Sequence, residues 1–317
     1  MGGAKRPPRA RLGRWLGVLP FFVFSVLFLI GPTLILAYRS FEGSAGGLTL
    51  DNYRRLASEA VIRSYGMSIR ISLTTALIGG LVGFLMAWAV SMGGLPRPFR
   101  SALTTFSGVA SNFAGVPLAA AFIFTLGRVG VVTALFEVFG VDLYGTGFSL
   151  YSVGGLTVVY LYFQIPLMVL VIFPALDGLK RDWREAAENL GATSGQYWRH
   201  VALPVLLPSI LGTMILLFGN SFGAHATAYA LTGGLLSLAT LLIGQQISGD
   251  VLHNPGLGYA VAMGMVARVI AGRIRCLAPS QRIVHCALIK ALIIVMLETN
   301  SAPVASSPSD SSMPHTS

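Results

Sequence analysis

Hydrophobic residues make up 54% of this 317-residue chain and charged residues only 11%, where a water-soluble domain carries roughly a quarter. That composition excludes an ordinary soluble domain and places the chain in a membrane. The formal net charge of +10 does not mark a nucleic-acid surface, because the basic residues sit mostly at the ends of apolar runs, where membrane topology accounts for them. Cys276 and Cys286 have no ligand spacing, so neither a zinc site nor a disulfide framework is expected.

Residues 1–15 form a basic N-terminus carrying Lys5, Arg6, Arg9, Arg11 and Arg14 with no acid. Leu16 to Ala37 is uncharged and long enough to span the hydrocarbon. No short apolar core with a small-residue cleavage site is visible, so an uncleaved first helix is expected, within a segment 16–65 that also holds an external loop. The polar stretch Tyr38 to Tyr65 is of mixed charge. A core of successive spans is expected over 66–266. Its second span lies at about Gly66 to Met92, with Arg70 near the outer end, and a turn at Gly93 to Pro98 follows. The third span, about Ser101 to Leu126, is rich in small residues that let helices approach closely in lipid, and Pro117 implies a kink or a break. Gly127 to Gly147 reads as an outer loop, and the fourth span, about Leu150 to Leu176, holds Gln164 beside Pro166.

The next stretch, Asp177 to Pro204, is the one long charged, helix-prone segment in the interior. Leu176, Leu179, Trp183, Ala186, Ala187 and Leu190 fall at the three-and-four spacing of an amphipathic helix, with Lys180, Arg181, Arg184 and Glu188 on the other face. Gly191 suits a left-handed helix end, and Pro204 suits the first turn of a new helix. A fifth span at about Pro204 to Ala228 follows. Leu231 to Ile247 contains Gly233, Gly234 and Gly244 and is expected to be an external or re-entrant loop.

At this stretch the chain resembles a family. Glu185-Ala186-Ala187, three residues, Gly191, nine residues and Val201-Ala202-Leu203-Pro204 resemble the E-A-A-x3-G-x9-I-x-L-P signature of ABC importer permeases, with Val201 in place of Ile. The resemblance implies an all-α membrane protein, a polytopic bundle of about six transmembrane helices with the type I ABC importer permease fold. It implies that 177–204 is a cytoplasmic coupling loop docking into a cleft of a separate ATPase subunit, with Trp183, Glu185, Ala186, Ala187, Gly191, Leu203 and Pro204 as ATPase-coupling residues. Trp183 and Tyr197 are expected to act as apolar anchors there. The implied partners are an ABC ATPase subunit, a second permease subunit in a heterodimer or homodimer, and a periplasmic or extracellular solute-binding protein. Leu48 to Tyr53 is similar to the L-x-N-Y stretch of the family's first external loop. Asn220 to Thr232, and Val116-Pro117-Leu118 through Gly127, resemble the spermidine/putrescine-type branch. Spermidine or putrescine is accordingly expected, with phosphonates, thiamine, opines or ferric iron as alternatives.

With the N-terminus in the cytoplasm of a bacterial inner membrane, eleven Lys/Arg fall on inner segments against five or six on outer ones. This agrees with the positive-inside rule and puts the 177–204 loop on the cytoplasmic side. The C-terminus fits less well. A sixth span is expected near Gly256 to Tyr259, yet the apolar run stops at Ala267, and Arg268, Arg273 and Arg275 fall where it would continue. Residues 267–317 are therefore expected to be an atypical C-terminus, through a shifted reading frame or a last helix displaced toward 277–297. Its end, 299–317, is Ser- and Pro-rich and expected to be disordered.

No G-x-x-x-x-G-K-S/T, H-E-x-x-H or G-x-S-x-G string occurs, so the chain is expected not to be an enzyme, with ATP hydrolysis on a separate subunit, and no cofactor or metal is expected. Intramembrane polar groups are costly and usually face a cavity or another helix. Asn112, Gln164, Asn220, Ser221, His225 and Tyr229 are the candidates for a translocation path. The alternative, a secondary transporter or channel-like protein without an ATPase, would need ionisable residues within the spans, and no acid clearly lies inside one.

Overall fold

The computed structural model describes residues 18–43, 47–93, 96–248 and 254–277. The basic N-terminal fifteen residues and the stretches 283–297 and 299–317 lie outside them. The chain falls into two units, Met1–Arg273 and Ile274–Ser317; of the second, only the end of one helix is described.

Helices account for most of the described residues of the first unit. In chain order they are α1 Val18–Ser40, α2 Asp51–Arg55, α3 Glu59–Met92, α4 Arg97–Asn112, α5 Val116–Leu126, α6 Val131–Val138, α7 Val153–Asp177, α8 Arg181–Asn189, α9 Ser194–Phe222, α10 His225–Thr232, α11 Ala239–Ser248 and α12 Pro255–Leu277. Among the described residues five stretches are long and apolar enough to cross a membrane: α1, α3, α5 with α6, α7 and α9. The apolar part of α12 is the shorter run Pro255–Ala267, yet the backbone stays helical to Leu277.

Helix α1 exposes apolar side chains on every side, Phe21, Phe24, Phe28 and Leu34 among them, as a lipid-facing span would. The chain following it is pinned by the Leu48-to-Tyr53 stretch. The Asn52 amide donates to the carbonyls of Ser40 (3.1 Å) and Glu42 (2.9 Å), while the Ser40 and Tyr53 hydroxyls share a hydrogen bond of 2.8 Å.

The core is built by α3, α7 and α9. Helix α3 has 34 residues, so at 1.5 Å per residue it is about 50 Å long, well beyond a hydrocarbon layer of about 30 Å. Its uncharged part, Ile71 to Met92, can lie in lipid, leaving Glu59 to Arg70 to stand outside. Glycines let the three helices close up. A Cβ at Gly79 would lie 2.9 Å from the Gln164 Cβ, and one at Gly83 would lie 2.6 Å from the Met168 Cβ and 2.7 Å from the Ile165 carbonyl oxygen. Gly80 presents its bare face to Met214 of α9. Around this junction Ala76, Ala87, Met168, Ile172, Leu176, Leu206 and Leu217 form one buried cluster, and Ile71, Leu156, Val159, Phe163, Leu231 and Leu241 belong to another.

Polar groups at the junction hold the helices in register. Thr75 and Ser221 share a hydrogen bond of 3.0 Å, and the fully buried Gln164 donates its amide to the Leu217 carbonyl at 2.8 Å. The Gln164 Oε1 has no partner among the described residues. Replacing Gln164 with Leu removes an interhelical bond worth about 0.6 kcal/mol on average in membrane proteins, but also an unpaired buried acceptor that costs about 1–3 kcal/mol. Gln164→Leu is therefore expected to melt at the same temperature as the parent or slightly higher, read by thermal unfolding in detergent.

The third span is broken, as Pro117 implies: it stops at Asn112 and restarts at Val116. Gly115 sits between them at φ +78°, its N–H donating to the Thr227 hydroxyl at 2.8 Å. Pro117, in the first turn of α5, needs no donor partner there. The expected outer loop 127–147 contains α6, so the most apolar stretch shifts to Val116–Val138. Leu231 to Ile247 is no span, because the chain reverses at Gly233 (φ +58°) and Gly234 (φ +87°) between two helices too short to cross.

Candidate functional site: the elbow and the polar residues of the spans

The segment 177–204 forms a bent elbow between α7 and α9. Helix α8 buries none of its residues. Its charged face is laced by an Arg184–Glu188 pair at 2.9 Å, and its apolar edge is uncovered, with Trp183 38% and Leu190 89% exposed. The helix ends where expected: Gly191 takes φ +78°, and a Cβ there would meet no atom within 4 Å. Thr193 then starts α9 with a capping box. Its hydroxyl accepts from the Gln196 N–H, while the Gln196 side chain accepts from the Thr193 N–H. The string Thr-x-x-Gln carried that signal in the sequence.

The second arm of the elbow is held by aromatic contacts. Tyr197 is only 6% exposed and therefore cannot serve as the expected anchor for a partner; it packs within the chain. Its neighbour Trp198 meets Trp88 of α3 edge to face at 5.7 Å. Arg100 at the start of α4 pairs with Asp177 at the end of α7, and its guanidinium lies 5.0 Å from the centre of the Phe173 ring. Between elbow and bundle lies a pocket of about 480 Å³ lined by Arg100, Asp177, Arg184, Glu188 and Trp198. Glu185, Ala186, Leu203 and Pro204 are exposed, and Ala187 is half-buried. Leu190, which is not among the coupling residues expected from the sequence, is the most exposed large apolar residue of the elbow.

Pro204 does not open a new helix. The helical backbone runs on from Ser194 to Phe222, and the turn Trp198–Ala202 is wound as a π-helix. A proline lacks the N–H that an α-helical turn would use and crowds the turn before it; a wider turn relieves both. Helix α1 repeats the device, with a π-helical turn at Val26–Ile30 before Pro32.

The six path candidates do not share one pocket. Gln164 and Ser221 are buried at the α3–α7–α9 junction. Asn112 is exposed at the end of α4, its amide donating to the Gly108 carbonyl at 2.8 Å, and Asn220 is exposed on α9. His225 and Tyr229 do come together: their rings stack at 5.8 Å and 15° on α10, at the end of α9 away from the elbow. They line a pocket of about 250 Å³ with Leu241, Gly244, Gln245 and Ser248 of α11. Sequence reasoning missed Gln245 and Ser248, because only the Gly233–Gly234 reversal brings α11 back to α10.

Residues 79–277 match the family model described as binding-protein-dependent transport system inner membrane component. The chain is similar to the sulfate transport system permease protein CysT of Salmonella typhimurium, 28% identical over 177 residues that cover 55% of this chain and 60% of that relative. It is also similar to the spermidine/putrescine transport system permease protein PotC homolog of Mycoplasma pneumoniae, 24% identical over 70% of this chain and 77% of that relative. A solved bacterial alginate ABC transporter, in complex with alginate pentasaccharide-bound periplasmic protein, has the same fold in one of its chains. The TM-score is 0.65 at 17% identity, over 87% of this chain and 96% of that chain.

Proposed function

This chain belongs to the family of binding-protein-dependent transport system inner membrane components, and from that premise we propose that it is an ABC importer permease whose 177–204 elbow couples the membrane bundle to a separate ATPase. The observation that carries the reading is the elbow's uncovered apolar edge, Trp183, Ala186 and Leu190, on a helix that its own bundle leaves bare. Such an edge on the side of the membrane richer in Arg and Lys is a docking surface for a cytoplasmic partner. Glu185 offers a carboxylate to a basic or amide group, Ala186 and Ala187 permit close approach, and Gly191 sets the bend. Leu203 and Pro204 lie within α9, where the elbow's second arm runs into the spanning part of that helix. A second permease subunit, identical or not, completes the path, and an external solute-binding protein delivers the solute. The N-terminus lies in the cytoplasm.

The names of the relatives supply two classes of small charged solute. The polyamine reading is supported by the Asn220 to Thr232 stretch and by the Mycoplasma relative; an oxyanion is supported by the sulfate permease relatives.

A single cysteine at Glu188, in an otherwise Cys-free chain, tests the reading. An impermeant thiol reagent is expected to label it in inside-out vesicles and not in right-side-out ones, and the ATPase is expected to co-purify with the unlabelled chain. Labelling from the outer side, or a chain that never retains an ATPase, would overturn the proposal.

A further inference from the structure

Four hydroxyls lie along one buried face of α3. Ser64, Ser68, Ser72 and Thr75 recur at helical spacing, and none is more than 5% exposed. Ser64 and Thr75 turn their protons back onto their own helix, donating to the Ala60 carbonyl at 2.8 Å and the Ile71 carbonyl at 2.9 Å. Ser68 and Ser72 do not. Ser68 accepts the Ala239 N–H at 2.8 Å, which leaves its own proton without an acceptor among the described residues. The Ser72 hydroxyl, on a residue 1% exposed, has no hydrogen-bond partner among them.

Both serines line a cavity of about 10 Å³ where α3, α7, α9 and the start of α11 meet, with Tyr160, Ser221, Leu238 and the half-buried Thr240. One water takes up about 10–15 Å³ of such space and needs roughly two to four polar partners; a solute of several heavy atoms does not fit. The protons decide which small occupant suits the walls. A hydroxyl has one proton to give and two lone pairs to accept with. Tyr160 gives its proton to the Ala224 carbonyl at 2.8 Å and keeps its lone pairs. Thr75 has given its proton to Ile71, so Ser221 is the donor in their 3.0 Å bond and likewise keeps an acceptor. The buried walls thus present two donors, Ser68 and Ser72, and two acceptors, Tyr160 and Ser221. A water accepts two hydrogen bonds and donates two. A bare cation gives the serine protons nothing to donate to, and an apolar filler would leave all four buried groups unanswered, which is costly.

We propose that this cavity holds one structural water, which joins α3, α7 and α9 and, through Ser68, the first turn of α11. Such a water needs neither an ATPase nor a transported solute.

Hydroxyl-radical labelling tests it, with the full-length chain in nanodiscs and X-ray pulses that generate radicals from water in place. Phe222 lines the cavity at 3% exposure, whereas Phe163, at 2%, does not. Phe222 is expected to be oxidised several times faster than Phe163, read by mass spectrometry of peptides. In Ser72→Val, whose branched side chain fills the cavity, the Phe222 rate is expected to fall to that of Phe163. Ser72→Thr, a smaller change, gives the same readout should the valine variant fold poorly. The Phe222 rate is expected to be the same in sodium chloride and in choline chloride. Equal rates for Phe222 and Phe163 in the parent would overturn the proposal, since no water then lies against Phe222. So would a Phe222 rate that the filled variants leave unchanged, which marks exposure by local opening, or one that changes when choline replaces sodium, which marks a cation in the space.

Discussion

Gly191→Asp is expected to leave the chain folded in the membrane while lowering both ATPase co-purification and transport by about tenfold or more. The backbone at Gly191 is left-handed at φ +78°, and a Cβ there meets empty space. An L-residue in that conformation costs about 1–2 kcal/mol, and Asp is among the residues that tolerate it best. The fold therefore survives. What changes is the docking face: a carboxylate now stands beside Leu190, where an apolar contact is proposed. An unpaired charge buried in an interface costs about 2–5 kcal/mol, and about 1.4 kcal/mol already corresponds to tenfold. Gly191→Asn has a similar backbone cost without the charge and is expected to retain most of the ATPase. Membrane-fraction yield, ATPase recovered with the tagged chain, and solute uptake in proteoliposomes check the three parts; normal ATPase recovery with Gly191→Asp would show that the elbow's bend is not at the contact.

Gly83→Val is expected to fail at an earlier stage, in folding. A first side-chain atom at this position runs into the Met168 Cβ and the Ile165 carbonyl oxygen, and a backbone oxygen cannot rotate away as a side-chain end can. Overpacking of this kind costs about 1–3 kcal/mol, sometimes more, and with backbone in the way the upper end applies. Helices α3 and α7 would be pushed apart at the centre of the core. A fall of folded, monodisperse protein to a small fraction of the parent's is expected by size-exclusion chromatography. Gly108→Ala is the matched control, because a Cβ at Gly108 in α4 meets nothing within 4 Å and alanine favours a helix interior by about 0.5–1 kcal/mol; it is expected to equal or exceed the parent.

Much of the architecture was legible in the sequence because its signals are local. The helix of the elbow follows from a 3.6-residue apolar period and its end from Gly191. The length of α7 follows from an uncharged run, whereas α3 begins at Glu59, seven residues before the expected start of its span. Pro117 indicated a break to within a few residues. What was not legible depends on residues far apart in the chain. Tyr197 reads as an anchor open to a partner, yet the chain buries it, and its neighbour Trp198 packs on Trp88, more than a hundred positions earlier. Gln164 reads only as a polar residue within a span, and the glycines at 79 and 83 explain how α3 comes close enough to bury it entirely. Gln245 and Ser248 carried no motif, since a lone amide and a lone hydroxyl acquire meaning only when a reversal sets them beside an imidazole.

The two wide turns before Pro32 and Pro204 have a consequence for mechanics. Each holds one surplus residue relative to regular winding, trapped ahead of a ring that has no hydrogen to return to the preceding turn. With an alanine at 204 the surplus could anneal away, and everything upstream of Trp198 would swing about 100° around the shaft of α9. The compass bearing of the elbow is thus fixed by an imino acid at its root rather than by the elbow's own sequence.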